Sequence, residues 1–230
     1  MKPDDLAALK SLPIFKDIKA QTFSRACTPS FLQTFPQGTK LLEESQPADF
    51  LYIILDGLVE MFSDHHGRDI VIEVLEPANL FILAAVLNDD VCLQSARCLT
   101  ASRLLMIPAT VVRSLMSEDA VFMKAIVFEL ACAYRRTLKA LKNQKARSAA
   151  ERLANWLLIE SAKPGNGNVF ELRIEKKVLA LWLGMTPENL SRSFLTLKDH
   201  GLSADNYQIQ IRDIDALRRF AGPSSLIDNS

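Results

Sequence analysis

Apolar and polar positions follow three different rhythms along this chain. Residues 6–15, LAALKSLPIF, place apolar side chains at helical spacing until Pro13 stops the pattern. Short apolar runs follow, broken by turn residues. They are FLQTF (31–35), TKLLEE (39–44), LYIILDGLVEMF (51–62), DIVIEVL (69–75) and ARCLTASRLLMI (96–107). The breaks are Pro36-Gln37-Gly38, Ser45-Gln46-Pro47 and Asp64-His65-His66-Gly67. Runs of this length and spacing predict an all-β barrel or sandwich. Gly57, in the middle of its run, predicts a bulge or tight bend.

From Ser117 the period changes to that of a helix free of Gly and Pro, with Glu118 and Asp119 placed near its positive end. Met123, Val127, Leu130, Tyr134, Leu138 and Leu141 recur at steps of three or four. This near-heptad stripe suits the seam of a dimer coiled coil; packing on its own domain is the plainer alternative. A second helix is expected over 149–161, with Leu153, Trp156, Leu157 and Leu158 on its apolar side, and KPGNGN ends it. Phe170 to Ile174 reads as a short strand.

The stretch EKKVLALWLGMTPENLSRSFLTLKDHGL carries the sharpest local signals. One helix runs from Lys176 to Leu183, and Gly184 ends it. Thr186 is an N-cap and Pro187 suits the first helical position, where a missing N–H costs nothing. The second helix runs to about His200. It turns Leu190, Phe194 and Leu197 inward and Glu188, Ser191, Arg192 and Lys198 outward. Two helices joined by a tight glycine turn match the DNA-reading helix-turn-helix; an ordinary helical hairpin is the alternative. Ser203–Asp205 and Tyr207–Ile211 then form a hairpin about Asp205-Asn206, which makes the motif winged and lets the wing reach phosphates.

Charge sharpens this division. Net charge is zero over 230 residues, yet residues 1–134 hold 11 Lys/Arg against 17 Asp/Glu, and residues 135–230 hold 16 against 10. A basic second half can meet a polyanion that the acidic first half repels. Hydrophobic residues make up 49% of the chain, enough for a core, but no apolar run reaches the ~18 residues of a membrane span. The polar, acidic opening MKPDDLAALK is not expected to be a signal peptide. Cys27, Cys92, Cys98 and Cys132 form no C-x-x-C pair, so buried thiols in a reducing cytoplasm are expected rather than a metal site. The β region offers no nucleophile–base pair, His/Glu metal set or phosphate-cradling glycine loop, which speaks against an enzyme.

These motifs together resemble the cyclic-AMP-receptor/FNR (Crp/Fnr) family of bacterial regulators over nearly the whole chain. LKSLPIF resembles the family's opening helix, and GTKLLEESQPADFLYIILDGLVEMF its Gly, apolar pair, turn, strand and Gly-x-Val pattern, with Ser45 in place of a common Gly. The resemblance implies an α+β fold: an N-terminal β-barrel of the jelly-roll, cyclic-nucleotide-binding-like kind (1–116), a dimerisation helix (117–146) and a C-terminal winged helix-turn-helix (147–230). It also implies a cytoplasmic homodimer that binds double-stranded DNA and works with RNA polymerase. Glu188, Ser191 and Arg192 resemble the E-x-x-S-R pattern of the FNR branch, which implies TTGAT-like half-sites in an inverted repeat. Arg192 can donate twice to guanine O6 and N7, and Glu188 can accept from cytosine N4. The candidate DNA-binding set is Lys177, Thr186, Glu188, Asn189, Ser191 and Arg192.

The family's phosphate cassette supplies Gly-Glu and Arg-Ser. Here Leu83 falls at the Glu, Gln94 at the Arg, and Ser95 keeps its place. An apolar side chain cannot hold a ribose hydroxyl, and a neutral amide cannot offset a buried phosphate, so cyclic AMP is not expected. An iron–sulfur cluster is not expected either, because the N-terminal region holds only Cys27. Phe81, Leu83, Leu87, Gln94 and Ser95 are the candidate effector-pocket residues, with Ile82 and Val86 beside them. The resemblance extends to nitric-oxide-responsive denitrification regulators, some thought to use haem. Haem, another hydrophobic effector and plain core packing therefore all stay open, as do a cyclic-nucleotide regulator with an atypical pocket and an effector-independent one.

Overall fold

The computed structural model describes residues 3–228. The chain folds as two compact units, and the boundary between them falls between Tyr134 and Arg135, inside the long helix. The same point separates the acidic from the basic half.

The first unit carries two four-stranded antiparallel sheets. Its strands are β1 (Phe31–Phe35), β2 (Lys40–Leu42), β3 (Phe50–Asp56), β4 (Val59–Asp64), β5 (Asp69–Leu75), β6 (Leu80–Phe81), β7 (Ser95–Cys98) and β8 (Ser102–Pro108). One sheet has the order β1-β8-β3-β6 and the other β2-β7-β4-β5. Helices α1 (Pro3–Lys10), α2 (Ala20–Cys27), α3 (Leu83–Asn88), α4 (Ala109–Glu118) and α5 (Ala120–Ala146), and a short 3-10 helix (Pro13–Phe15), accompany them, α5 continuing past Tyr134.

Strand β3 of the first sheet is buried on both faces, which explains why LYIIL reads as an unbroken apolar run. Leu51 and Ile53 of β3, with Leu105 and Ile107 of β8, pack against Leu9, Phe15, Val112, Leu115 and Phe122 from the helices. Tyr52 and Ile54 point the other way and pack with Val59, Met61, Leu75 and Ala96 of the second sheet. This is the period-two alternation of a strand. Each such side chain, once buried, stabilises the unit by about 1.5–3 kcal/mol.

One run bends where its glycine predicts, and another, expected to be continuous, is interrupted. Gly57, at φ +90°, turns β3 into β4; a Cβ there would run into Ser102 and the Ala101 carbonyl. ARCLTASRLLMI divides at Leu99–Ala101 into β7 and β8, which lie in different sheets. The start of the long helix is also corrected. Ser117 and Glu118 end α4, and Asp119, not Ser117, caps α5. The Asp119 backbone is extended (φ −128°, ψ 104°), which breaks the helix. Its carboxylate accepts the Val121 and Phe122 N–H groups at 2.9 and 3.3 Å and the Thr22 hydroxyl.

The second unit holds α6 (Ala149–Ser161), β9 (Val169–Glu171), α7 (Lys176–Trp182), α8 (Pro187–Lys198), β10 (Leu202–Asp205), β11 (Gln208–Ile211) and α9 (Ile214–Ala221). A capping box opens α6: Glu151 N–H donates to the Ser148 hydroxyl, and Ser148 N–H to the Glu151 carboxylate. The hairpin turns at Asn206-Tyr207, one residue later than expected, with Asn206 at φ +47°. β9 joins its open side, giving a three-stranded sheet in the order β10-β11-β9. Among the described residues no helix is long and apolar enough to cross a membrane.

Candidate nucleic-acid interface

The turn before α8 is built by local chemistry. Gly184 takes φ +66°, and Met185 N–H donates to the Ala180 carbonyl at 2.9 Å. The Gln144 amide lies against the glycine, leaving little room for a side chain. Thr186 caps α8, its hydroxyl accepting Asn189 N–H at 3.3 Å, and Pro187 is the first helical residue.

The two faces of α8 then separate. Leu190, Ser193, Phe194 and Leu197 are buried. Thr186, Glu188, Asn189, Ser191, Arg192, Leu195 and Lys198 are exposed. Steps of three and four along a helix return to one face, so Glu188, Ser191, Arg192 and Leu195 lie side by side. The Glu188 carboxyl is held below the ordinary carboxylate range, first by its own backbone N–H and then by the Thr186 hydroxyl. It is therefore an ionised acceptor near neutral pH. Ser191 donates its proton back to the Pro187 carbonyl at 3.0 Å and keeps its lone pairs for outside donors. Lys177 is exposed on α7, while Lys176 lies over the Phe194 ring at 5.4 Å.

Leu195 is the residue that sequence reasoning missed on this face. It is 60% exposed on a helix whose other leucines are buried. Its place seven residues after Glu188 was the available signal, but its apolar type pointed to the core.

The six stripe residues of α5, Met123, Val127, Leu130, Tyr134, Leu138 and Leu141, are exposed in the single chain, each by 38–68%. The buried side of the same helix is made instead by Phe122 and Ile126. The stripe therefore stands apart from the face that packs on the first unit's core.

The five effector-pocket candidates are not gathered around one space. Phe81 stacks on Tyr52, with ring centroids 4.8 Å apart, in the cluster between the sheets. Leu83 and Leu87 belong to the other cluster, on the helix side. The Ser95 hydroxyl accepts Glu44 N–H at 2.9 Å, and Gln94 is half-buried. Ile82 takes φ +67°, a left-handed conformation that a β-branched residue strains to adopt. Ser45, which replaces a common Gly, is likewise left-handed at φ +69°.

Cys27, Cys92 and Cys98 are buried thiols. Burial pushes Cys27 up to about 11 and raises the other two. His65 and His66 are exposed at the β4–β5 tip, and His200 stacks on Phe220. Among the described residues no group of three or more His, Cys, Asp or Glu is placed to hold a metal ion.

Two stretches of the chain match known domain families. Residues 32–119 match the cyclic nucleotide-binding domain family, and residues 151–220 match the Crp-like helix-turn-helix domain family. No curated protein matches the chain by sequence. Among solved structures, a candidate cAMP-binding regulatory protein from Silicibacter pomeroyi is 25% identical, covering 94% of this chain and all of its own, with TM-score 0.64. FixK2 from Bradyrhizobium japonicum is 17% identical over 85% of this chain and 98% of its own, with TM-score 0.74. A candidate crp/fnr-family transcriptional regulator from Eubacterium rectale is 17% identical over 92% and 98%, with TM-score 0.75. The two domain matches, in this order on either side of a long helix, place the chain in the Crp/Fnr family of transcription regulators.

Proposed function

We propose that this regulator acts as a twofold pair, joined along the α5 stripe, that reads an inverted repeat of TTGAT-like half-sites with the outward face of α8. The observation that carries this reading is the separation of faces on α8: a buried apolar side and an exposed row of Glu188, Ser191, Arg192 and Leu195. Arg192 donates to guanine, Glu188 accepts from cytosine, and Leu195 lies against a thymine methyl. Lys177 and the wing supply phosphate contacts, and the positive end of α8 adds to them. RNA polymerase is the partner through which the bound pair acts.

The effector of this reading is not cyclic AMP. Leu83 is buried among aliphatic neighbours where the family's Glu meets ribose, and Gln94 brings no charge where its Arg meets phosphate. Haem is not part of this reading. The histidines of the first unit stand at an exposed hairpin tip, and Cys92 and Cys98 are buried thiols. A second reading, a regulator that needs no effector, is favoured by the Tyr52–Phe81 stack between the sheets.

A gel-shift titration against salt tests the proposal. Preference for a TTGAT inverted repeat over scrambled duplex is expected, with affinity falling steeply as salt rises. Equal affinity for both duplexes would overturn it. Added cyclic AMP is expected to change neither curve.

A further inference from the structure

We propose that Asp228 and Arg147 form a latch that fixes the junction between α5 and α6, and through it the direction in which α8 is presented. All the atoms involved belong to the second unit. The proposal rests on the reading of α8 as the DNA-reading helix and α5 as the pairing helix.

The junction is short. α5 ends at Ala146 and α6 begins at Ala149, so Arg147 and the cap Ser148 carry the change of direction. Arg147 is held there by residues from far along the chain. Its Nη1 donates to Asp228 Oδ1 at 2.7 Å and its Nη2 to Oδ2 at 2.6 Å. The two side chains are only 7% and 12% exposed. Nη1 also reaches Asn143 Oδ1, one turn back in α5, at 3.1 Å. Asp228 in turn accepts Ser224 N–H at 2.6 Å, so the final described segment is closed on itself as well as on the junction.

The network continues toward α8. The Arg147 carbonyl accepts Arg152 Nη1 at 2.7 Å. The same guanidinium donates from Nε to the Leu183 carbonyl at 2.7 Å and from Nη2 to the Gly184 carbonyl at 3.2 Å. Those carbonyls form the turn that leads into the Thr186 cap of α8. One chain of hydrogen bonds thus links Asp228, the junction, the turn and the start of the recognition helix.

A bidentate arginine–carboxylate pair fixes direction as well as distance. A pair this buried contributes little net stability over apolar packing, but it specifies one geometry. Removing Asp228 leaves a guanidinium in a nearly closed site. Arg147 then turns to water, and its carbonyl no longer holds Arg152 in one place. For a twofold pair, this junction sets the separation of the two α8 helices, so its loss weakens engagement of two half-sites more than of one.

The experiment compares the full chain with its Asp228→Ala and Asp228→Glu variants. It reads affinity for a duplex with both TTGAT half-sites, affinity for a duplex with one, and hydrogen exchange at the amides of 147–152 and 183–187. Asp228→Ala is expected to lose about tenfold on the two-site duplex, stay within about twofold on the single site, and exchange faster at both segments. Asp228→Glu restores both. Unchanged two-site affinity, or equal loss on both duplexes, would overturn the latch. If the unsubstituted chain shows no preference for TTGAT duplex, the DNA reading fails instead. Exchange then decides the latch alone, and unchanged exchange in Asp228→Ala overturns it.

Discussion

Two segments of this chain stand where its family does chemistry, and they treat their side chains in opposite ways. On α8 the chemical residues face water: Glu188, Ser191 and Arg192 are exposed, and the helix is held from behind by Leu190, Phe194 and Leu197. In the stretch from Leu80 to Ser95 a subset of side chains faces inward: Leu80, Phe81, Leu83, Val86 and Ser95 are buried, while residues 88–91 and Leu93 are exposed. A surface that meets DNA is free of packing demands, so its residues can be chosen for what they read. An interior site must be filled by a ligand or by side chains. Here apolar side chains take up the room, and each contributes roughly what a buried leucine does. In the proposed reading, Leu83 belongs to the core where the family's Glu would stand.

This contrast can be broken at several points. The largest expected effect lies in the β-roll. Arg97 donates to the fully buried Glu60 at 2.5 Å, pairs with Asp69 at 2.8 Å and stacks on Phe62. If the charges of the roll serve structure, Arg97→Met strands the Glu60 carboxylate and costs about 3 kcal/mol in urea unfolding. Unchanged stability would mean that the guanidinium is kept for a ligand. Arg192→Ala is the matching change on α8. It should leave stability intact and lose about 1–3 kcal/mol of discrimination at the guanine, measured by competition with duplexes altered at that base. Equal loss on all sequences would make Arg192 a phosphate contact only.

Ile82 sharpens the comparison further. Its left-handed backbone costs about 1–2 kcal/mol for a residue with a side chain, and glycine escapes that cost. Ile82→Gly and Ile82→Ala both lose the packing of a residue that touches both core clusters. The glycine variant is nevertheless expected to melt higher than the alanine variant, the reverse of their order in regular structure. The smallest effect concerns pH. Arg25 first, then Ser114, holds Glu118 down at about 2. A depressed carboxylate stabilises the folded state above its unfolded pKa of roughly 4.3, and that stabilisation is lost as pH falls toward 2. Acid titration of Arg25→Gln against the unsubstituted chain should show a small gap at neutral pH that closes across this window. Both side chains are nearly half exposed, so the gap stays small.

How much of this was legible in the sequence depended on whether the signal was local. The bounds of α6, the positive φ of Gly184, the Thr186 cap and Pro187 follow from adjacent residues and were readable. So were the short apolar strands of the first unit, separated by turn residues. α4 was not readable, because ATVVRSLMSE carries β-branched residues, and only packing of Ala109, Val112 and Leu115 on the core makes it a helix. α3 was hidden too: it is bracketed by left-handed Ile82 and Asp89, where no glycine marks a turn. Leu195 was legible by position but concealed by type. The Arg147–Asp228 pair joins residues far apart in sequence, and no local pattern points to it.

The central claim is that the outward face of α8 enters the major groove twice, in a twofold pair. Methylation interference at guanine N7 on a duplex carrying the inverted repeat tests it most directly. The account predicts interference at the guanine of each half-site, at two positions one helical turn apart, with both lost in Arg192→Ala. Interference at a single half-site, or a pattern that Arg192→Ala leaves intact, would contradict it.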